Sequence, residues 1–250
     1  KRLILALTLS LPLLGGPLAS AAFAGTPMPK PLLEKYYEGV RYFKGGDLER
    51  AIGSFKVVAL SMPQDPLIHL SLAAALQQHG DTDDAIAEYR RAIEIRPYDA
   101  FARESLGLLL QSRGDIEGAV NQYFEAVRLR PDTPLMRLNL GMALRIAGNQ
   151  DGAINELKQV VKAYPDNLKA HSQLASTYQD KGDYQTAITE YRQVLLYEPN
   201  NFSLHYNLAA CLLSLKDYSG AAAELKTAIG IDPSVPDTHM MLGRALDKLS

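Results

Sequence analysis

The stretch PLMRLNLGMALRIAGNQDGAINELKQVVKAYPDN, residues 134–167, carries the pattern that decides the fold. Apolar residues recur at helical spacing up to Ile146, Gly148 and Asn149 interrupt them, and a second apolar helical pattern runs from Ala153 to Val161. Pro165 then closes it, because proline cannot continue a helix. The same punctuation runs through the chain: Pro63, Pro97, Pro131, Pro165, Pro199 and Pro233 follow one another at 34-residue intervals. A fixed period of that size means one small unit copied and stacked, an all-α solenoid rather than a globule around one centre.

Counted so that the periodic proline is position 32, whole units occupy 32–65, 66–99, 100–133, 134–167, 168–201 and 202–235, and a half unit occupies 236–250. Position 20 is alanine in every whole unit (Ala51, Ala85, Ala119, Ala153, Ala187, Ala221). Position 8 is Gly or Ala throughout (Gly39, Ala73, Gly107, Gly141, Ala175, Ala209, Gly243), and position 24 is Phe, Tyr or Leu. Small residues at fixed places predict two helices in close approach, where a larger side chain overpacks the contact at about 1–3 kcal/mol. Position 15 is Gly in five units and Lys216 in the sixth, and position 16 is Asp or Asn in all six. Glycine suits the left-handed residue that ends one helix, and Asp or Asn the N-cap of the next. If the sixth turn keeps that geometry, Lys216 costs on the order of 1–2 kcal/mol. Asp65, Asp99, Thr133, Asn167 and Asn201 at position 34 are expected to cap the following first helices.

Leu106-Gly107, Leu140-Gly141, Ala85-Ile86-Ala87-Glu88-Tyr89 and Ala187-Ile188-Thr189-Glu190-Tyr191 carry a family pattern. The unit resembles the tetratricopeptide repeat, W-x2-L-G-x2-Y…A-x3-F…P over 34 residues, and the likeness spans residues 32–250. The family's Trp at position 4 is absent; Lys35, His69, Arg103, Arg137, His171, His205 and His239 stand there. The resemblance implies about six and a half helix-turn-helix repeats, antiparallel helix pairs in a right-handed superhelix, with a concave groove lined by the first helices.

The first 24 residues differ. Lys1 and Arg2 precede an apolar run from Leu3 to Leu14, Gly15, Gly16 and Pro17 break it, and Ala22-Phe23-Ala24 precedes Gly25. That order reads as a secretory signal peptide cleaved after Ala24, which predicts an exported, periplasmic protein. The alternative is an uncleaved anchor that holds the protein to the inner membrane through residues 3–24. Residues 25–31 form a proline-rich linker, and 32–250 the repeat domain. The net charge of −2 supplies no broad basic field, which argues against nucleic acid as a partner.

Catalytic and metal signals are weak. Four of the five histidines occupy position 4 (His69, His171, His205, His239). Packed helix axes lie about 8–10 Å apart and zinc ligands about 2 Å from the ion, so neighbouring copies do not share a metal. These rings are expected to fill the slot used by Trp in the family. Asp81, Asp83 and Asp84 lack the Gly and distal Glu of a calcium loop and suit a helix start. Cys211, the one cysteine, reads as a small buried residue. No motif of nucleophilic or nucleotide chemistry is present, so neither catalytic residues, metal nor cofactor is expected.

The groove is the remaining candidate. The resemblance places positions 2, 5, 6, 9, 12 and 13 of each first helix along it. Carried over, this selects Leu33, Tyr36, Val40 and Phe43, then Leu67 and Leu70, then Phe101, Glu104 and Leu108. It continues with Leu135, Leu138, Asn139, Met142, Arg145 and Ile146, and then Lys169, Gln173 and Asn207. An apolar strip with scattered polar groups fits a peptide or helix of a partner protein. Chaperone-binding relatives clamp a terminal carboxylate with Lys, Asn and Arg. Asn139 and Lys169 match two of those places, but Glu104, Leu108 and Gln173 occupy others, so the clamp is incomplete. The expected function is a non-enzymatic binding scaffold or assembly factor of the bacterial envelope. Two alternatives stand beside it: a self-assembling homo-oligomer, whose second copy or linker fills the strip, and the targeting module of a larger enzyme.

Overall fold

The computed structural model describes residues 28–250, so the expected signal segment lies outside the described residues. The described residues are all-α. Helices α1 (Lys30–Lys44), α2 (Leu48–Ser61), α3 (Pro66–His79), α4 (Thr82–Ile95) and α5 (Ala100–Ser112) belong to one compact unit, which ends at Ser112. Helices α6 (Ile116–Leu129), α7 (Pro134–Ile146), α8 (Gln150–Ala163), α9 (Leu168–Lys181), α10 (Tyr184–Leu195), α11 (Phe202–Ser214), α12 (Tyr218–Ile231) and α13 (Pro236–Asp247) form the second, from Arg113 to Ser250. Odd-numbered helices are the first helices of the repeats and even-numbered ones the second. Helix α1 begins at Lys30 with Pro31 in its first turn, so the helical repeat opens inside the stretch assigned to the linker. Proline fits there because a first-turn N–H has no intrahelical partner.

The turn inside each repeat is built as the Gly-Asp pattern predicts. Gly46, Gly80, Gly114, Gly148 and Gly182 all take positive φ, between 79° and 103°. The N–H after the left-handed residue closes each turn: Asp47 to Tyr42 O, Asp81 to Leu76 O, Asn149 to Leu144 O, Asp183 to Tyr178 O and Asp217 to Leu212 O, each at 2.9 Å. The next helix is capped by the same side chain, as when Asp115 Oδ1 accepts from Gly118 N at 2.9 Å and Asn149 Oδ1 from Gly152 N at 2.9 Å. Asp81 departs from the pattern: it makes no cap bond, and its Oδ2 lies 3.0 Å from His79 Nδ1. Thr133, expected to cap α7, makes no side-chain cap bond either. Asp65, Asn167 and Asn201 do cap α3, α9 and α11.

Lys216 keeps the turn and bears its strain, at φ 61°. Lys216→Gly therefore relieves a left-handed side chain at the expense of a more flexible unfolded chain, for a net gain of about 0.5–1 kcal/mol. Thermal unfolding should show a midpoint higher by about 2–3 °C.

The close approach predicted at position 8 is present. A Cβ on Gly39 would lie 2.8 Å from the Phe55 ring, and one on Gly141 2.8 Å from Leu157 Cγ. Phe55 and Leu157 both occupy position 24. Gly243 in α13 meets nothing within 4 Å, because no second helix of its own follows in the described structure. Position 20 is fully buried throughout: Ala51, Ala85, Ala119, Ala153, Ala187 and Ala221 are all at 0 % exposure. In the second unit one cluster joins Leu138 of α7, Ile154, Leu157 and Val160 of α8, Leu174 and Tyr178 of α9, Ile188 and Tyr191 of α10, and Leu204, Leu208, Cys211 and Leu212 of α11. Helices α1, α3, α7, α9 and α11 pack against their own second helices, α3, α5, α7, α9, α11 and α13 pack against the second helix before them, and α9 touches α7 and α11 lightly.

Candidate partner-binding face

Position 4, where the family has Trp, is occupied by a polar bridge. His69 Nδ1 lies 2.6 Å from Glu88 Oε2 and Nε2 3.1 Å from the Pro63 carbonyl oxygen. His171 repeats the geometry with Glu190 (2.6 Å) and Pro165 (3.0 Å), and His205 with Glu224 (2.6 Å) and Pro199 (2.9 Å). Arg137 does the same with a guanidinium: Nε donates to Pro131 O at 2.7 Å and Nη1 to Glu156. Arg103 donates to Pro97 O, and His239 Nε2 lies 3.0 Å from Pro233 O. The side chain therefore ties the proline that closes one repeat to the first helix of the next. These residues stand in the slot that Trp fills in the family, and they sit there because the proline carbonyl lies outside the helix ladder and accepts a bond.

The remaining chemical candidates are structural. Cys211 is fully buried, and burial pushes its thiol up to about 11, the opposite of an activated nucleophile. Asp81, Asp83 and Asp84 stand at the start of α4, where acids suit the helix dipole.

The selected groove residues divide by burial. In the first unit Tyr36 is buried, its ring tilted against Phe55 and its hydroxyl 3.2 Å from Ser71 Oγ. Helix α3 is buried along its length from Pro66 to Leu76, and Leu67 and Leu70 share that burial. Glu104 is buried on α5, Leu108 is half-buried and Phe101 is exposed. In the second unit Leu138 belongs to the core at 3 % exposure, with Met142 packed against it. Leu135 and Ile146, one at each end of α7, are exposed by 47 % and 51 %. Asn139 and Arg145 on α7, Gln173 on α9 and Asn207 on α11 are half-buried, and Lys169 is exposed. Tyr36, Leu70, Glu104 and Leu138 all occupy position 5. That position is therefore withdrawn from the face in these four repeats, since its side chain goes into packing.

Two features of the face were not selected from sequence. Arg145 Nη1 donates to Asp180 Oδ2 at 2.8 Å, a pair that links α7 to α9 and occupies the guanidinium from one side. Its Nε and the Gln173 Oε1 are buried without a hydrogen-bond partner, one a donor and the other an acceptor. Behind the face, the Tyr191 hydroxyl donates to Gln179 Oε1 at 2.8 Å and lies 3.1 Å from Ser176 Oγ. Burial pushes this phenol up to about 12, so it stays a donor across the physiological range. Tyr89 holds Gln77 in the same way, at 2.9 Å. The recurrence of tyrosine at position 24 with glutamine at position 12 was the available signal for this pairing.

Comparison with known proteins agrees with this arrangement. The tetratricopeptide repeat family profile matches residues 36–100, 105–167 and 172–236. No curated protein matches the chain. Among solved structures, a tetratricopeptide repeat protein from Parabacteroides merdae ATCC 43184 superposes with TM-score 0.72 at 16 % identity, over 88 % of each chain. YrrB, described as a TPR protein with an unusual peptide-binding site, gives TM-score 0.67 at 20 % identity, over 77 % of this chain and 97 % of that one. MamA 41-end from Desulfovibrio magneticus RS-1 gives 0.64 at 18 % identity, over 68 % of this chain and 97 % of its own. At these identities the likeness establishes the fold.

Proposed function

Because the chain belongs to the tetratricopeptide repeat family, whose repeats serve as protein-interaction scaffolds, we propose that it binds a segment of another protein on the first-helix face of its second unit, formed by α7, α9 and α11. The observation that carries this reading is the pairing on this face of exposed apolar groups with polar side chains that keep solvent access. Leu135 and Ile146 leave apolar surface in water at the two ends of α7. Beside them, Lys169 on α9 is exposed, and Asn139 on α7 and Asn207 on α11 are half-buried. A peptide backbone carries acceptors and donors that such side chains can meet. The corresponding face of the first unit is closed at α3, which directs the proposal to the second.

A peptide-display selection against the full chain tests the reading. Selected peptides should lose at least about tenfold in affinity for the Leu135→Asp, Ile146→Asp variant, equivalent to about 1.4 kcal/mol. The midpoint of unfolding should move by less than about 2 °C, because both side chains are exposed. Equal affinity for both proteins would remove the proposal.

We further propose export to the periplasm. Support comes from the sequence order of Lys1-Arg2, the apolar run and Ala22-Phe23-Ala24. No helix among the described residues is long and apolar enough to cross a membrane. N-terminal sequencing of the protein from native cells should find Gly25 at the start, whereas an intact start at Lys1 would sink cleavage.

A further inference from the structure

The position-4 bridges count protons. A proline carbonyl oxygen only accepts, and an ionised carboxylate only accepts. An imidazole placed between the two makes both bonds only when both ring nitrogens carry hydrogen. His69, His171 and His205 are each placed in that way, with Nδ1 at 2.6 Å from a Glu oxygen and Nε2 at 2.9–3.1 Å from a proline oxygen. Loss of one proton leaves a ring lone pair facing an acceptor lone pair, and one of the two bonds fails. Arg137 marks the contrast: its guanidinium makes the same two contacts, to Pro131 O and Glu156, with donors it does not lose.

The bridges join three pieces of chain. Pro63, Pro165 and Pro199 close one repeat, the histidines stand in the first helix of the next, and Glu88, Glu190 and Glu224 stand in its second helix. We propose that His69, His171 and His205 are proton-dependent clasps between successive repeats, each fastening the closing turn of one repeat to both helices of the next while doubly protonated and releasing it when a proton leaves.

The charged groups around His69 favour the closed state. His69 faces Glu88 and Arg91 from α4 and Asp65 from the turn after α2, with Arg96 opposite Asp65. His171 faces Glu190 on α10 and His205 faces Glu224 on α12. At His69 the hydrogen bond to Glu88 raises the imidazole above its ordinary value, against the opposing effects of burial and of Arg91. A group raised on folding adds stability that is fully present below its unfolded value, about 6.5, and is lost as pH rises through the folded value. The His69 clasp should therefore be tightest in mildly acid solution and loosen above neutrality.

Arginine at all three positions supplies the test, since it keeps the donors and removes the titration. The full chain should lose on the order of 5 °C in unfolding midpoint between pH 6 and pH 8.5, and the His69→Arg, His171→Arg, His205→Arg variant less than half of that. His79 and His239 remain in both proteins and cancel. The same dependence in both would overturn the proposal. Nitrogen-15 spectra provide a readout that needs no variant: the His69 ring, raised by its bond to Glu88, should be doubly protonated in mildly acid solution, and a neutral ring there would overturn the proposal equally.

Discussion

Gly141→Val should lower the midpoint of thermal unfolding by about 4–8 °C. A Cβ at residue 141 would already sit 2.8 Å from Leu157 Cγ and 3.0 Å from its Cδ2, with the Ala153 carbonyl oxygen at 3.5 Å. Leu157 is fully buried at the centre of the second unit's core and has no solvent to retreat into. Valine adds two further methyl groups to that contact. Forcing them in costs about 3 kcal/mol, which outweighs the about 1 kcal/mol that glycine sacrifices in a helix. The same repeat position gives the opposite sign at the other end of the array. Gly243 has nothing within 4 Å of its would-be Cβ, so Gly243→Ala should stabilise by about 0.5–1 kcal/mol. Thermal or urea unfolding of the two variants reads both. A Gly141→Val protein as stable as the parent would mean that the helix pair is not packed as described.

Leu138→Asp should be more damaging still. Leu138 is 3 % exposed and belongs to the cluster of α7 to α11. The change removes a buried leucine side chain, worth about 2–5 kcal/mol, and leaves an unpaired carboxylate in apolar surroundings. The second unit should lose its cooperative unfolding transition, with circular dichroism reporting the lost helix. Leu135→Asp, three residues away on the same helix, should leave that transition within about 0.5 kcal/mol of the parent. The two leucines look alike in sequence and differ only in where the helix turns them. Any loss of binding in a Leu138 variant would therefore report unfolding, and Leu135 and Ile146 are the informative probes of the face.

That contrast shows where the sequence was legible. Features that depend on the local repeat could be read directly. The 34-residue period gives the helix pairs, Gly-Asp gives the turn and cap, and a small residue at position 8 gives the contact with position 24. Lys216 was readable as a strained turn for the same reason, since its neighbours in register all require positive φ. Features that depend on how successive repeats meet were not. Position 5 belongs to the groove by family likeness, yet Tyr36, Leu70, Glu104 and Leu138 are buried there. The periodicity of a helix names the face a residue is on without fixing the depth at which the next helix covers it. The position-4 bridges lay further out of reach. They bring together a carbonyl six residues earlier and a carboxylate 19 residues later, and only the recurring Glu88, Glu156, Glu190 and Glu224 hinted at them.

The prolines accordingly have two roles. They end the second helices, as their chemistry dictates. Their carbonyl oxygens also accept the bond that fastens each new repeat, from His69 to His239. A family position usually filled by an aromatic ring has become an electrostatic one.

The central claim, that partners dock on the first-helix face of the second unit, is tested most directly by amide hydrogen exchange on the full chain with and without a selected peptide. The account predicts slowed exchange concentrated in α7 and α9, around residues 135–146 and 169–180, with α8 and α10 little changed. Protection confined to the second helices, or absent from α7 and α9 at a saturating concentration of peptide, would contradict it.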